Sequence, residues 1–308
     1  MKTCGRILSV LLMVVLFLFF LSGIACNEAK KRARYPDSLS DSTKGAAFNV
    51  ASYNIRYHAK ADDSSGNGWD TRKFPLAQLI KDHHFDIIGT QEGDSGQMHD
   101  LMELLPGFAF VGYPYGGASG TIHTASIVYR ESAFSVLDQG EFWYSETPDE
   151  KSIGWDATDL RICTWARMKD KASGLEFYFF TSHFYWRYKT ARRHSGKVLV
   201  TQIKSIVKDD LPVISTGDLN SVPSTPQIAD ISAYLRDAYK VSTIAPVGPE
   251  ATAYHGGVFQ GSPNNRIDYI FVSKKVEVLS YAALNDTYGQ DRHPSDHLPI
   301  TAEIHLEE

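Results

Sequence analysis

A chain of 308 residues, 43% hydrophobic and 22% charged, has ordinary globular composition and enough apolar material for the core of one large domain. Its 31 basic and 36 acidic residues leave a net charge of -5, so the chain as a whole lacks the basic footprint of a sequence-independent nucleic-acid binder, and only a local patch would supply one. Three cysteines, Cys4, Cys26 and Cys163, are too few for a disulfide-stapled secreted domain.

The N-terminus differs from the rest. Lys2 and Arg6 precede an apolar run from Ile7 to Leu21 that only Ser9 interrupts, and Ser22, Gly23, Ile24 and Ala25 then lead to Cys26. A basic start, an apolar stretch and small residues before a Cys predict an export signal over residues 1–25. The junction resembles a bacterial lipobox, with Gly23 where Leu is usual. It implies a lipid on Cys26 and attachment to the membrane of the cell envelope; an uncleaved membrane anchor is the alternative. Losing Lys2 and Arg6 would leave 29 basic residues against 36 acidic ones, a mature charge of -7. Residues 26–45, with Lys30, Lys31, Arg32, Arg34 and Pro36, read as a flexible tether, and residues 46–308 as the folded domain.

From Phe48 the pattern becomes strand-like, with Phe48, Val50 and Ser52 alternating against Asn49, Ala51 and Tyr53. Leu76, Leu79 and Ile80 stripe a predicted helix from Thr71 to about His83. A short buried strand follows over Asp86 to Gly89, then a helix over Ser95 to Leu105 that stops before Pro106. Strands are predicted at 107–113, 124–130, 134–142 and 161–168. Leu175 to Ser182 is almost wholly apolar and aromatic, which predicts a central strand covered on both faces. A helix over 188–208, a strand over Pro212 to Thr216 and strands at 266–272, 276–282 and 298–305 complete the chain. Strands with interspersed helices predict α/β layering with mixed sheets.

Several strands end in polar residues of one kind. Ser52-Tyr53-Asn54-Ile55-Arg56, Thr90-Gln91-Glu92, Thr181-Ser182-His183-Phe184 and Gly217-Asp218-Leu219-Asn220 close four of them; Arg266-Ile267-Asp268-Tyr269 and Ser295-Asp296-His297 open two more. One Asp or Asn after a strand is usually a turn or cap residue. Six such tips together offer carboxylates, amides and imidazoles to one cleft. That inventory suits a hard, oxygen-preferring cation and a phosphate: the cation takes carboxylates, the phosphate takes amide and imidazole donors, and a base readies a water. There is no HExxH pair and no CxxC, so Mg²⁺ or Mn²⁺ is expected over zinc.

In this order, SYNIR, TQE, GDLN, RIDYIF and SDH resemble the endonuclease/exonuclease/phosphatase superfamily over about residues 46–306. The resemblance implies a four-layer sandwich, two mixed β-sheets face to face with helices outside, and hydrolysis of phosphate esters. Residue by residue it implies Glu92 as principal metal ligand, with Asn54 beside it and Asp296 as a further metal-side carboxylate. His183 is then the imidazole on the phosphate oxygens, Asp218 the group that orients or activates water, and Asn220 a phosphate ligand. His297 is the general base or a transition-state imidazole, Asp268 the carboxylate that orients it, and Arg161 a phosphate-contacting arginine. A phosphorylated substrate and a monomer are expected. A secreted nuclease and a non-catalytic ligand-binding protein on the same fold are the competing functions.

Other features read as ordinary surface or packing. Arg187, Lys189, Arg192, Arg193, His194 and Lys197 suit a solvated helix face or an anionic-substrate surface. Phe142, Trp143, Tyr144 and Trp155 suit packing or stacking on a sugar or base. His293 reads as a surface histidine, and Asp62 and Asp63 as loop residues.

Overall fold

The computed structural model describes residues 45–116 and 122–307. The predicted signal, Cys26 and all of the tether except Gly45 lie outside them. In chain order the elements are β1 (Gly45–Asn54), α1 (Lys60–Ser64), α2 (Trp69–Asp82), β2 (Ile87–Gln91), α3 (Ser95–Leu104), β3 (Phe108–Gly116), β4 (Ile122–Arg130), β5 (Phe134–Trp143), β6 (Ile162–Asp170) and β7 (Glu176–His183). Then come α4 (Lys189–Ile206), β8 (Val213–Asp218), α5 (Pro226–Ser232), β9 (Arg236–Asp237), α6 (Ala238–Val241), β10 (Asp268–Val272), β11 (Val276–Ala283) and β12 (Ile300–Glu307).

The strands form two six-stranded mixed sheets, ordered β11-β12-β1-β2-β4-β3 and β5-β6-β7-β8-β10-β9. Each has a parallel pair inside it, β1 with β2 and β7 with β8, and antiparallel neighbours around that pair. Side chains alternate faces along a strand, and the core clusters follow that parity. Phe48, Val50, Ile87 and Ile127 of the first sheet meet Phe177, Phe179, Ile214 and Ile270 of the second in one inter-sheet core. Their sequence neighbours point the other way. Ala51, Tyr53 and Ile88 pack under α2 and α3 with Leu76, Ile80 and Leu101. Tyr178, Phe180, Tyr269 and Phe271 pack under α4 and α5 with Leu199, Ile203 and Ile228. The result is the four-layer sandwich, helix over sheet over sheet over helix, with β7 central and buried as its composition predicts.

The sequence missed α1, α5, β9 and α6, all of seven residues or fewer, too short for a hydrophobic period to show. Asp62 and Asp63, taken above for loop residues, lie in α1, and Asp62 is buried against Arg56. Asp94 caps α3 by accepting from Gln97 N at 2.9 Å, with the Gln97 side chain bonding back to Asp94 N at 3.1 Å. No helix among the described residues is long and apolar enough to cross a membrane.

The sheets approach most closely where the inner face turns from apolar to polar. At Gly89 of β2, an added Cβ would lie 1.9 Å from Thr216 Oγ1 and 2.7 Å from Thr181 Oγ1, both on the opposing sheet. Gly89→Ala is therefore predicted to destabilise the fold by about 1–3 kcal/mol through overpacking, lowering the melting temperature by several degrees. Adding Thr216→Ala should recover part of that loss. Equal melting of wild type and Gly89→Ala by circular dichroism would show that the sheets have room to spare there.

Candidate active site

Parity also builds the site. On β1, Asn54 shares the inner face with Phe48 and Val50; on β7, His183 shares it with Phe177 and Phe179; on β8, Asp218 shares it with Ile214; on β10, Asp268 shares it with Ile270. Register then sets the tips side by side. Asn54 pairs with Gln91, His183 with Asp218, and Asp218 with Asp268. Asn54 Nδ2 crosses between the sheets, donating to Asp218 Oδ2 at 3.0 Å and to Glu92 Oε1 at 3.1 Å.

Asp218 is the centre. It is 1% exposed, and its Oδ1 accepts from Asn220 N at 2.9 Å. Its Oδ2 faces two imidazoles, His183 Nε2 at 3.6 Å and His297 Nε2 at 3.7 Å. Burial pushes its carboxyl up to about 7, with Asp268 and Glu92 adding to the rise and His297 opposing it.

The two imidazoles sit in opposite environments. His183 Nδ1 lies 3.0 Å from Arg161 Nη1 and 2.8 Å from Tyr115 Oη. A guanidinium only donates, so Nδ1 accepts and the neutral ring carries its proton on Nε2, toward Asp218. Burial, and then Arg161, hold the His183 pKa well below the ordinary value. His297 Nδ1 lies 2.9 Å from Asp268 Oδ2, which also accepts from Thr252 Oγ1 at 2.6 Å. Burial works against its charged form, but Asp268 and Asp218 outweigh it and hold the pKa well above the ordinary value. The cluster thus pairs a neutral Nε2–H donor with an imidazolium, on either side of a carboxylate that titrates near neutrality.

Glu92 has a left-handed backbone, φ 69°, and its Oε2 accepts from Tyr57 N at 3.2 Å. Burial would raise its pKa, but His183, Arg56, His123 and His297 around it bring the carboxyl down to about 2. Ligand atoms of Glu92, His183 and Asp218 all lie within 4.8 Å of one another, as do those of Asp218, Asp268 and His297. Asp296 is absent from both groups. Its Oδ2 accepts from Gly257 N at 2.8 Å and pairs with Arg56 at 3.4 Å. Its Oδ1, buried and without a hydrogen-bond partner, is a spare oxygen within electrostatic range of Glu92. An ionised Glu92, a second carboxylate at Asp218 and that spare oxygen fit an oxygen-preferring divalent cation.

Two sequence-predicted residues, Arg161 and Asn220, have partners within the protein. Arg161 is buried behind His183, on its Nδ1, with its guanidinium over the Tyr115 and Tyr185 rings. Asn220 donates its Nδ2 to the Phe184 carbonyl at 3.0 Å. His293 is a correction: it is buried and stacked on Tyr254 at 5.2 Å, because the 252–263 segment folds over it. Phe142, Trp143 and Tyr144 are buried packing residues, and Trp155 stacks on His194.

Sequence reasoning missed Tyr115, Thr252 and Arg56. Arg56 lay inside a quoted motif; it is half-buried, and of its ion pairs with Asp62 and Asp296 only the second is distant in sequence. Arg72 was missed too. It is fully buried and donates to the carbonyls of Ile55, Arg56, Asn67 and Pro294, stapling the segments that carry Asn54 and Asp296.

Comparison with known proteins shows the family and the fold. Residues 47–297 match the model of the Endonuclease/Exonuclease/phosphatase family. A solved structure of a family protein from Bacteroides thetaiotaomicron superposes with a TM-score of 0.79 at 34% identity, covering 86% of this chain and 99% of that one. A mannosyl-6-phosphatase from the same organism superposes with a TM-score of 0.78 at 35% identity, covering 83% and 99%. Among sequence relatives, an uncharacterized protein of Acanthamoeba polyphaga mimivirus is 28% identical over 50% of this chain, and a Saccharomyces cerevisiae RNA exonuclease 21% identical over 47%. Those matches span only 59% and 49% of the relatives' own lengths.

The electrostatics of His183 yield a direct test. Arg161→Met removes the cation that disfavours protonation of His183, so the imidazole should titrate at higher pH than in wild type. The measurement is an NMR titration of histidine-labelled protein. A His183 that titrates as in wild type would show that Arg161 does not set its protonation state.

Proposed function

The chain belongs to the endonuclease/exonuclease/phosphatase family, and on that premise we propose that it is a divalent-metal-dependent phosphatase of small phosphorylated molecules, sugar phosphates among them. The observation that carries this is the setting of Asp218: a buried carboxylate with His183 Nε2 at 3.6 Å and His297 Nε2 at 3.7 Å, joined through the Asn54 amide to Glu92. Environments that push neighbouring groups apart in pKa mark acid and base roles. Supporting the choice of substrate, a mannosyl-6-phosphatase is 35% identical over nearly its whole length. The net charge of -5 favours a small ester over a long polyanion.

In this mechanism Glu92 is the principal ligand of Mg²⁺ or Mn²⁺, with Asn54 and Asp296 flanking it. The bound ion would neutralise phosphoryl charge and acidify a water. Asp218 orients the attacking water and takes its proton as oxygen bonds to phosphorus. His183 donates its Nε2–H to a phosphoryl oxygen, with Arg161 and Tyr115 fixing its tautomer from behind. Asn220 holds the Asp218 carboxylate through its backbone N–H, and its side-chain amide braces the segment after His183 through the Phe184 carbonyl. As the ester bond breaks, the His297 imidazolium gives its Nε2 proton to the departing oxygen. Asp268, itself held by Thr252, keeps that ring in place.

Two measurements test the proposal. EDTA should abolish turnover and Mg²⁺ or Mn²⁺ restore it, with mannose 6-phosphate, glucose 6-phosphate and p-nitrophenyl phosphate hydrolysed faster than bis(p-nitrophenyl) phosphate, DNA or RNA. Full activity after exhaustive chelation refutes the metal role, and preferential cleavage of nucleic acid makes the protein a nuclease. His297→Ala should lower kcat on a sugar phosphate by about 10²–10⁴-fold, and by clearly less on p-nitrophenyl phosphate, whose leaving group departs without a proton. Equal losses on both would deny His297 the role of acid.

A further inference from the structure

The geometry points to a sugar subsite beside the catalytic cluster: a pocket of about 290 Å³, bounded by Arg192, Asn220, Ser221, Thr225 and Asn265, that receives the hydroxyl-bearing end of the substrate, with Arg192 as the residue that reads it. The inference rests on the phosphatase function proposed above and names where the leaving group sits.

The pocket adjoins the catalytic residues through its walls. Asn220 is bonded to Asp218 through its backbone and to the residue after His183 through its side chain. Ile267, also in the wall, precedes Asp268 and accepts from Leu219 N at 2.9 Å. A molecule seated there is therefore flanked by the segments that carry Asp218, His183 and Asp268. Its volume lies at the bottom of the ~300–1,000 Å³ range of small-molecule pockets, which suits one monosaccharide and not a polymer.

The free hydrogen-bonding groups in the wall decide the ligand's chemistry. Arg192 is half-buried on α4, where it makes no salt bridge among the described residues, although the Asp156 carboxylate is near enough to favour its charge. One Nη1 donates to the Trp186 carbonyl, which leaves Nε and Nη2 unspent. Asn220 and Asn265 each commit one side-chain N–H to a protein acceptor, while their Oδ1 atoms accept from no described residue. A wall that offers both donors and acceptors matches hydroxyls, which do both. A second phosphate only accepts, and would leave those two amide oxygens without a donor.

The test compares wild type with Arg192→Met, which keeps the aliphatic stem, and with Asn265→Ala at an exposed position. The ratio of kcat/KM for mannose 6-phosphate to that for p-nitrophenyl phosphate should fall about tenfold or more in Arg192→Met, and less in Asn265→Ala, at unchanged melting temperature. Mannose alone, titrated against tryptophan fluorescence without metal, should bind saturably to wild type and about tenfold more weakly to Arg192→Met. Unchanged ratios in both folded variants, or mannose binding that Arg192→Met leaves unaltered, would overturn the subsite while leaving the phosphatase function standing. Mannose binding that depends on Arg192, in a protein that hydrolyses no sugar phosphate, would keep the subsite and overturn the function.

Discussion

Everything at the centre of this molecule follows from burying the Asp218 carboxylate between two sheets. An ionised carboxylate removed from water is costly unless it is hydrogen-bonded and paired. Here it takes the Asn220 backbone N–H on one oxygen and the Asn54 amide on the other, with His183 and His297 facing it from either side. The compensation is incomplete, and the carboxyl settles near neutrality. Each partner must itself be held. Arg161 and Tyr115 fix His183, Asp268 and Thr252 fix His297, and Glu92 fixes Asn54. The site is thus a chain of mutual obligations that reaches from one sheet to the other, with Tyr115, Arg161, Thr252 and Asp268 buried behind the central carboxylate.

How much of this could be read from the sequence depends on the range of each interaction. The strands and the longer helices announce themselves by local period, and their tips by a polar residue after an apolar run. Asn54, His183, Asp218 and Asp268 were visible for that reason, and the structure brings them together. The face each tip occupies was also implicit, since Phe177, Phe179 and His183 share one parity. Family resemblance supplied what parity could not, namely that six tips from distant parts of the chain meet in one cleft. Glu92, Asp296 and His297 leave regular strands before they reach it, so only the motif marked them.

The unread part is non-local. Thr252 lies in a segment without period, and its hydroxyl joins the site by donating to the Asp268 carboxylate and accepting from the Asp268 backbone N–H. Tyr115 lies beyond the strand predicted over 107–113, and its hydroxyl meets His183 across 68 residues of sequence. Arg161 was visible as a cation but not as a partner of His183, because its direction depends on how Tyr115 and Tyr185 pack around it. Arg56 and Arg72 look like surface charges in the sequence and are, respectively, a half-buried and a buried brace in the fold. Charge in a sequence carries no mark of burial, and that accounts for most of what was missed.

The alternation along β8 makes strand length a ruler. Ile214, Thr216 and Asp218 face inward, while Val213 and the residues between them face the helices. Inserting or deleting one residue upstream in β7, β8 or β10 would turn the catalytic tip outward and present its apolar neighbour to the cleft. The strands are therefore closed to length change, whereas the loops beyond the tips are open to it only between their fixed contacts, such as those of Asn220, Thr252 and Gly257. Divergence of substrate preference on this scaffold should then be written in loop length and loop composition, with the strands kept at fixed count beneath them.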